Sequence, residues 1–222
     1  MNNEVHLWQI KLERGESELN RLLNTLSIDE IHRAERFRFP QHRQRFIVSR
    51  GMLRTILGSY LDVEAQAVQF TYEAKGKPIL DDIFAESCIH FNLSHSQDLA
   101  LCAVCQHHLV GVDLEYTRSV SDVESLAARF FSPREYEVVR SLPPHQQQQV
   151  FFRYWTCKEA YLKAIGTGIT QLDKIEINLS LDTPASLNID GDWSLFEFVP
   201  KENFRAAVVV ATQNIKIKFL DI

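Results

Sequence analysis

LVGVDLE, residues Leu109 to Glu115, decides how the rest of the chain is organised. Successive strand side chains face opposite ways, so Val110, Val112 and Leu114 form one face and Gly111, Asp113 and Glu115 the other. Before this strand the chain spells out a strand at Val5 to Ile10, a short helix at Glu16 to Leu26 and a capping box of Ser27 and Glu30. That box opens a helix through Arg38, which Pro40 interrupts. A long helix follows, with Phe46, Ile47, Leu53, Ile56, Leu57 and Tyr60 as its apolar stripe, then strands at Val68 to Tyr72, Ile89 to Leu93 and Leu99 to Cys105. After LVGVDLE a similar order begins again. Ser121 and Glu124 open a helix to Phe130, and Ser132, Pro133 and Glu135 start the next. Gln146 to Ile165 is a long helix ended by Gly166, and strands are expected near Lys174 to Leu179, Trp193 to Val199, Arg205 to Ala211 and Ile215 to Leu220. The expected class is α+β, with two pseudo-symmetric lobes of similar topology, residues 1–108 and 109–222, and a ligand cleft between them.

Composition narrows the functions open to such a fold. Hydrophobic residues make up 45% and charged residues 24% of 222 residues, while Gly (8) and Pro (7) are sparse, which excludes disordered and collagen-like chains. A net charge of -5 argues against a surface that grips nucleic acid throughout. The start MNNEVHLWQI lacks a basic segment followed by an apolar one, and no apolar run approaches the ~20 residues of a membrane helix. A cytoplasmic protein without a membrane partner is expected. Cys102 and Cys105, with His107 and His108 behind them, have a zinc-like spacing. Yet LALCAVC is an apolar strand whose alternation sends the two thiols to opposite faces, so core packing and reduced cysteines are expected instead.

Three groups of residues carry possible chemistry. Asp113 and Glu115 share a strand face ~7 Å apart, so both stay ionised only in water or beside a cation. Oxygen ligands of this kind suit Mg²⁺, and a solvated strand face is the alternative. Glu135 is a further candidate ligand, although at the third position of S-P-R-E a glutamate commonly caps its own helix. In WTCKEAYLKAIGTG, helical spacing places Trp155, Lys158, Glu159, Leu162 and Lys163 on one stripe, half apolar and half charged. Either a phosphate is neutralised by the lysines with Glu159 as a general base, or Glu159 simply pairs with Lys163. Lastly, Arg33, Arg36, Arg38, Arg43, Arg45, Arg50 and Arg54 form a local basic excess, KGKP at Lys75 to Pro78 is a turn with two lysines, and FNLSHS at Phe91 to Ser96 ends a strand with Ser94 and His95. No nucleophile elbow surrounds Ser94, so Ser/His hydrolysis is not expected.

Taken in order, KGKP, FNLSHS, GVDLE, FFSPREY and WTCKEAYLKAIGTG resemble the motif series of the 4′-phosphopantetheinyl transferases of the Sfp type. The resemblance spans Lys75 to Gly168 and more loosely the Arg33 to Arg54 region, where Glu30 replaces a basic residue of some relatives. It implies two pseudo-symmetric α+β lobes in a single chain, with coenzyme A and Mg²⁺ between them and an apo acyl, polyketide or peptidyl carrier protein as partner; because the internal duplication lets one chain form a complete site, a monomer is expected. It assigns Asp113, Glu115 and Glu135 to Mg²⁺, and Arg33, Lys75, Lys77, Ser94 and His95 to the nucleotide phosphates of coenzyme A. Lys158 and Lys163 are implied near the pyrophosphate, Glu159 as the base and Trp155 as its packing neighbour.

The reaction implied is transfer of the 4′-phosphopantetheine arm to a carrier serine with release of adenosine 3′,5′-bisphosphate, the activity of a holo-[acyl-carrier-protein] synthase. The nucleophile then comes from the partner. Two other classes compete. One is a noncatalytic protein that binds coenzyme A or a nucleotide. The other is a metal-dependent nuclease, against which stand the acidic balance and the absence of a lysine at the E-x-K spacing after Glu115.

Overall fold

The computed structural model describes residues 3–181 and 183–222, so Met1 and Asn2 of the opening segment lie outside it. In chain order the elements are β1 (Glu4–Lys11), α1 (Glu16–Leu23), α2 (Ile28–Glu35), α3 (Pro40–Leu61), β2 (Phe70–Tyr72), β3 (Pro78–Leu80), β4 (Ile89–Ser96), β5 (Leu99–Gln106) and β6 (Val110–Tyr116). They continue with α4 (Val123–Phe130), α5 (Pro133–Ser141), α6 (Pro144–Ile165), β7 (Ile177–Asn178), β8 (Ser186–Leu187), β9 (Ser194–Phe198), β10 (Phe204–Val210) and β11 (Lys216–Asp221). The class is mixed α and β, and α3 and α6 are both 22-residue helices that begin with proline in the first turn, where its missing N–H costs nothing. No helix among the described residues is long and apolar enough to cross a membrane.

Strand alternation sets the layering. One sheet runs β11-β1-β5-β4 and a second β6-β10-β9. On β5, Ala100, Cys102 and Val104 pack with Ile47, Met52, Leu53 and Ile56 of α3, whereas Leu101, Ala103 and Cys105 pack with Val110, Val112 and Leu114 of β6 and Val208 of β10. The far side of β10, Ala207 and Val209, meets Cys157 and Ala160 of α6. The order is therefore helix, sheet, sheet, helix. Cys102 and Cys105 lie on opposite faces of their strand, and all four cysteines are free.

The two sheets are joined at one edge by side chains. Asn92 Oδ1, Ser94 Oγ and Ser96 Oγ of β4 accept from the backbone N–H of Val112, Leu114 and Tyr116 at 2.9, 3.2 and 3.0 Å. Gly111, on the other face of β6, lies directly against α6, where a Cβ would overlap the Ala160 carbonyl and the Ala164 amide. Thus β6 is clamped between β4 and α6.

Three of the differences from the local expectations concern a helix end, a helix cap and sheet membership. Helix α2 ends at Glu35 rather than Arg38, with Arg36 as its C-cap. Asp122, not Ser121, caps α4 by accepting from Ser125 N. More consequentially, β11 crosses back and pairs parallel with β1, so residues 216–221 hydrogen-bond into the sheet of the first half.

Candidate active site

The clamped strand presents Asp113 and Glu115 to α6, which answers with Glu159 and Lys163, one turn apart. Lys163 Nζ lies 2.5 Å from Asp113 Oδ1 and donates to Ser94 Oγ at 3.0 Å, while Ser94 Oγ donates to Asp113 Oδ1 at 3.1 Å. Asp113 Oδ2 is buried without a hydrogen-bond partner. Burial pushes the carboxyl of Glu115 up to about 7, helped by Asp113 and opposed by Lys163, Trp155 and Arg118. Glu159 is likewise pushed up to about 7, first by burial, then by Asp113 and Glu115, against Lys163. Burial would lower Lys163, but Asp113, Glu159 and Glu115 together hold it above the usual lysine value. Three carboxylates thus face one nearby ammonium.

The remaining residues divide into those that reach this cluster and those that do not. Packing around the His95 imidazole pulls it down, and Lys163 and Arg45 add to the effect, so His95 stands at the cationic side of the site. Arg45 Nε is buried with no hydrogen-bond partner. Lys77 Nζ donates to the Ala164 carbonyl at 3.2 Å, tying the KGKP turn to the end of α6, and Lys75 beside it is exposed. Arg33 is exposed, its guanidinium 5.4 Å from the centre of the Phe46 ring. Arg50 and Arg54 are both buried against Glu30, at 3.0 and 2.6 Å, and are not free to meet a ligand. A cavity of about 330 Å³ opens beside the carboxylates, lined by Glu115, Trp155, Arg118 and Phe152. A second, of about 420 Å³, lies near the other end of β4, with Lys77, His90 and Val110 in its wall.

The structure does not bring Glu135 or Lys158 to this cluster. Glu135 accepts from Ser132 N at 2.9 Å and Ile177 N at 2.8 Å and pairs with Lys158 inside the core. Lys158 is 0% exposed and donates to the Leu172 and Ile175 carbonyls at 2.8 and 2.7 Å, with the Phe131 ring 5.1 Å away. Neither group is directed to Asp113. The reason is helical: neighbours on a helix point ~100° apart, so when Glu159 faces β6, Lys158 cannot. The expected single stripe is two, with Trp155, Glu159 and Lys163 toward the site and Lys158 and Leu162 toward the core. Glu159, not Glu135, is the third carboxylate beside Asp113 and Glu115. Its signal was in the sequence as the i, i+4 pair with Lys163, whereas Arg45 had nothing to single it out from six other arginines.

Two family models and several relatives match this chain. Residues 11–107 match the 4′-phosphopantetheinyl transferase N-terminal family, and residues 109–210 the 4′-phosphopantetheinyl transferase superfamily. The chain is 60% identical over 211 residues to the 4′-phosphopantetheinyl transferase HetI of Nostoc sp., covering 95% of this chain and 89% of HetI. It is 26% identical over 188 residues to the 4′-phosphopantetheinyl transferase Sfp of Bacillus subtilis, covering 83% and 81%. Among solved structures, a holo-(acyl-carrier-protein) synthase from Bacillus anthracis in complex with CoA (3′,5′-ADP) aligns with a TM-score of 0.36 and 21% identity, over 46% of this chain and 92% of that one. Matched along nearly its whole length by HetI, and carrying the motif series from KGKP to KEAYLK, the chain belongs to the Sfp-type 4′-phosphopantetheinyl transferases.

Proposed function

We propose that this protein transfers the 4′-phosphopantetheine arm of coenzyme A to a serine hydroxyl of an apo carrier protein, acyl, polyketide or peptidyl, and that Asp113, Glu115 and Glu159 hold Mg²⁺ for the reaction. The observation that carries the metal assignment is charge. Among the described residues no three His, Cys, Asp or Glu side chains are gathered as a metal site in their present positions. Even so, three carboxylates are gathered around the single ammonium of Lys163, and Asp113 keeps a buried oxygen without a partner. Once Glu115 and Glu159 are ionised, two negative charges are left for a divalent cation, and oxygen donors suit Mg²⁺.

When bound, the cation supplies a Lewis acid for the charge developing on the pyrophosphate. The chain does the rest. Lys163, held cationic by its three acidic neighbours, stabilises the same charge. His95, Arg45, Lys77 and the exposed Lys75 and Arg33 provide donors for the nucleotide phosphates on the basic side. Glu159 is ionised when the cation is bound, and a carboxylate oxygen not taken by the metal would accept the serine proton. The bond formed joins the serine oxygen to the phosphorus bearing the pantetheine arm. The bond broken is that phosphorus to the bridging oxygen, which leaves with adenosine 3′,5′-bisphosphate. Ser94 and His95 come from the first half of the chain and Asp113, Glu115, Glu159 and Lys163 from the second, which supports a two-lobe arrangement meeting near residue 108 and a monomer with a complete site.

Incubation with coenzyme A, Mg²⁺ and apo carriers, followed by mass measurement of the carriers, tests the proposal. Each competent carrier should gain one phosphopantetheine arm, and a chelator should abolish the gain. Tight coenzyme A binding with no carrier modified in any class would instead identify a noncatalytic binding protein.

A further inference from the structure

We infer that Ser94 is a positioning residue for the carboxylate of Asp113 rather than a phosphate ligand, and that Asn92, Ser94 and Ser96 together form a side-chain clamp fixing the metal-binding strand. The inference rests on the proposed metal site. A serine hydroxyl offers one donor and two acceptor positions. In Ser94 all three are in use: the hydroxyl donates to Asp113 Oδ1 and accepts from Leu114 N and Lys163 Nζ. The residue is 6% exposed, so nothing remains for a phosphate oxygen.

The surrounding pattern explains why a serine is placed there. β4 and β6 are edge strands of separate sheets, and among the described residues no backbone ladder joins them. Instead, every second residue of β4 supplies an oxygen to every second amide of β6, at the steps 92 to 112, 94 to 114 and 96 to 116. The outer two contacts fix the register of β6 only. The central one also sets the side chains of Asp113 and Lys163. The FNLSHS motif therefore has two faces, with Asn92, Ser94 and Ser96 on the strand junction and His95 turned to the basic side.

The outer residues serve as internal controls, because Asn92→Ala and Ser96→Ala each remove a junction contact without touching Asp113. Calorimetric titration of Mg²⁺ into the folded proteins reads the effect directly, and coenzyme A affinity is measured separately without metal. Ser94→Ala should weaken Mg²⁺ binding about 10-fold, the loss typical when an outer partner of a metal ligand is removed, and leave metal-free coenzyme A affinity within about twofold. Asn92→Ala and Ser96→Ala should lower the melting temperature and weaken Mg²⁺ binding by no more than about twofold, less than Ser94→Ala, because neither touches Asp113 itself. Ser94→Cys, of similar volume but with a weaker donor, gives the same readout if Ser94→Ala does not fold, and Ser94→Thr should restore binding. Unchanged Mg²⁺ binding with weakened coenzyme A binding would make Ser94 a phosphate ligand. Equal Mg²⁺ losses in all three alanine variants would reduce its role to general support of β6. If the unaltered protein binds no Mg²⁺, the metal assignment itself fails, an outcome distinct from a normal Ser94→Ala titration.

Discussion

Glu115 and Glu159 are the residues whose ionisation most directly reports on the site. Both carboxyls are pushed from 4.5 to about 7 in the folded chain, mainly by burial and then by acidic neighbours. A carboxyl that binds its proton more tightly when folded favours the fold below about 4.5, and that contribution is lost as pH rises through about 7. The metal-free protein should therefore lose stability across this window, because negative charge accumulates against Asp113. A divalent cation competes with the same protons, so its stabilising effect grows with pH. Thermal melts with and without saturating Mg²⁺ should show a rise of roughly 2–5 °C at pH 8 and less at pH 6. An equal or larger rise at pH 6 would contradict cation binding at these carboxylates. Glu159→Gln separates the proton-accepting role from a structural pairing with Lys163. It should lower kcat by roughly 10²- to 10⁴-fold while metal-free coenzyme A affinity changes little. Single-turnover rates decide this, and a normal chemical step in the variant would remove Glu159 as the base.

At the scale of elements, the site depends on how closely β6 approaches α6 and on which face α6 turns toward it. Gly111 allows the approach, and Gly111→Ala would drive a methyl into the Ala160 carbonyl. Overpacking against backbone has no flexible side chain to relieve it, so a loss of about 2–3 kcal/mol is expected in denaturant melts, together with weaker Mg²⁺ binding. The facing of α6 is set by Lys158, whose buried pair with Glu135 ties the helix to α5 and to the Leu172 and Ile175 carbonyls. Lys158→Met should cost about 3–5 kcal/mol by leaving Glu135 buried and unpaired. The activity of the protein that remains folded should keep a near-normal coenzyme A KM, whereas a large selective rise in KM would return Lys158 to the phosphate site. The elements themselves were legible: Ser27 with Glu30 and Ser132 with Glu135 are capping boxes in sequence and in structure. What could not be read was the core partner of Glu135. A capping glutamate still has a second oxygen, and only the packing of α5 on α6 and β7 reveals that Lys158 and the Ile177 amide take up its remaining capacity.

Across the whole molecule, repetition was visible in the chain but closure was not. The order of helix, long helix and strands around LVGVDLE appears in the alternation of buried residues, because periods of 3.6 and 2 are local properties. The pairing of β11 with β1 joins residues more than 200 positions apart, and an exposed strand such as KIKFLD carries no mark of the sheet it will enter. Its consequence is mechanical. β11 covers the free edge of β1, Ile215 fills the core between the sheets, and Phe198 and Phe219 meet across them with ring centres 5.3 Å apart. The second half of the chain thus holds the first at this edge, while the β4 side chains hold β6 at the other. Removing residues 213–222 should therefore lower the melting temperature by roughly 10–15 °C, as expected for the loss of several kcal/mol in a chain of this size. The amides of β1 should exchange faster than those of β9, although β1 is the element farther from the cut in sequence. Hydrogen exchange resolved by strand measures this. If only β9 and β10 lost protection, the terminal strand would be an ornament of the second half, and the first sheet would be stable without it.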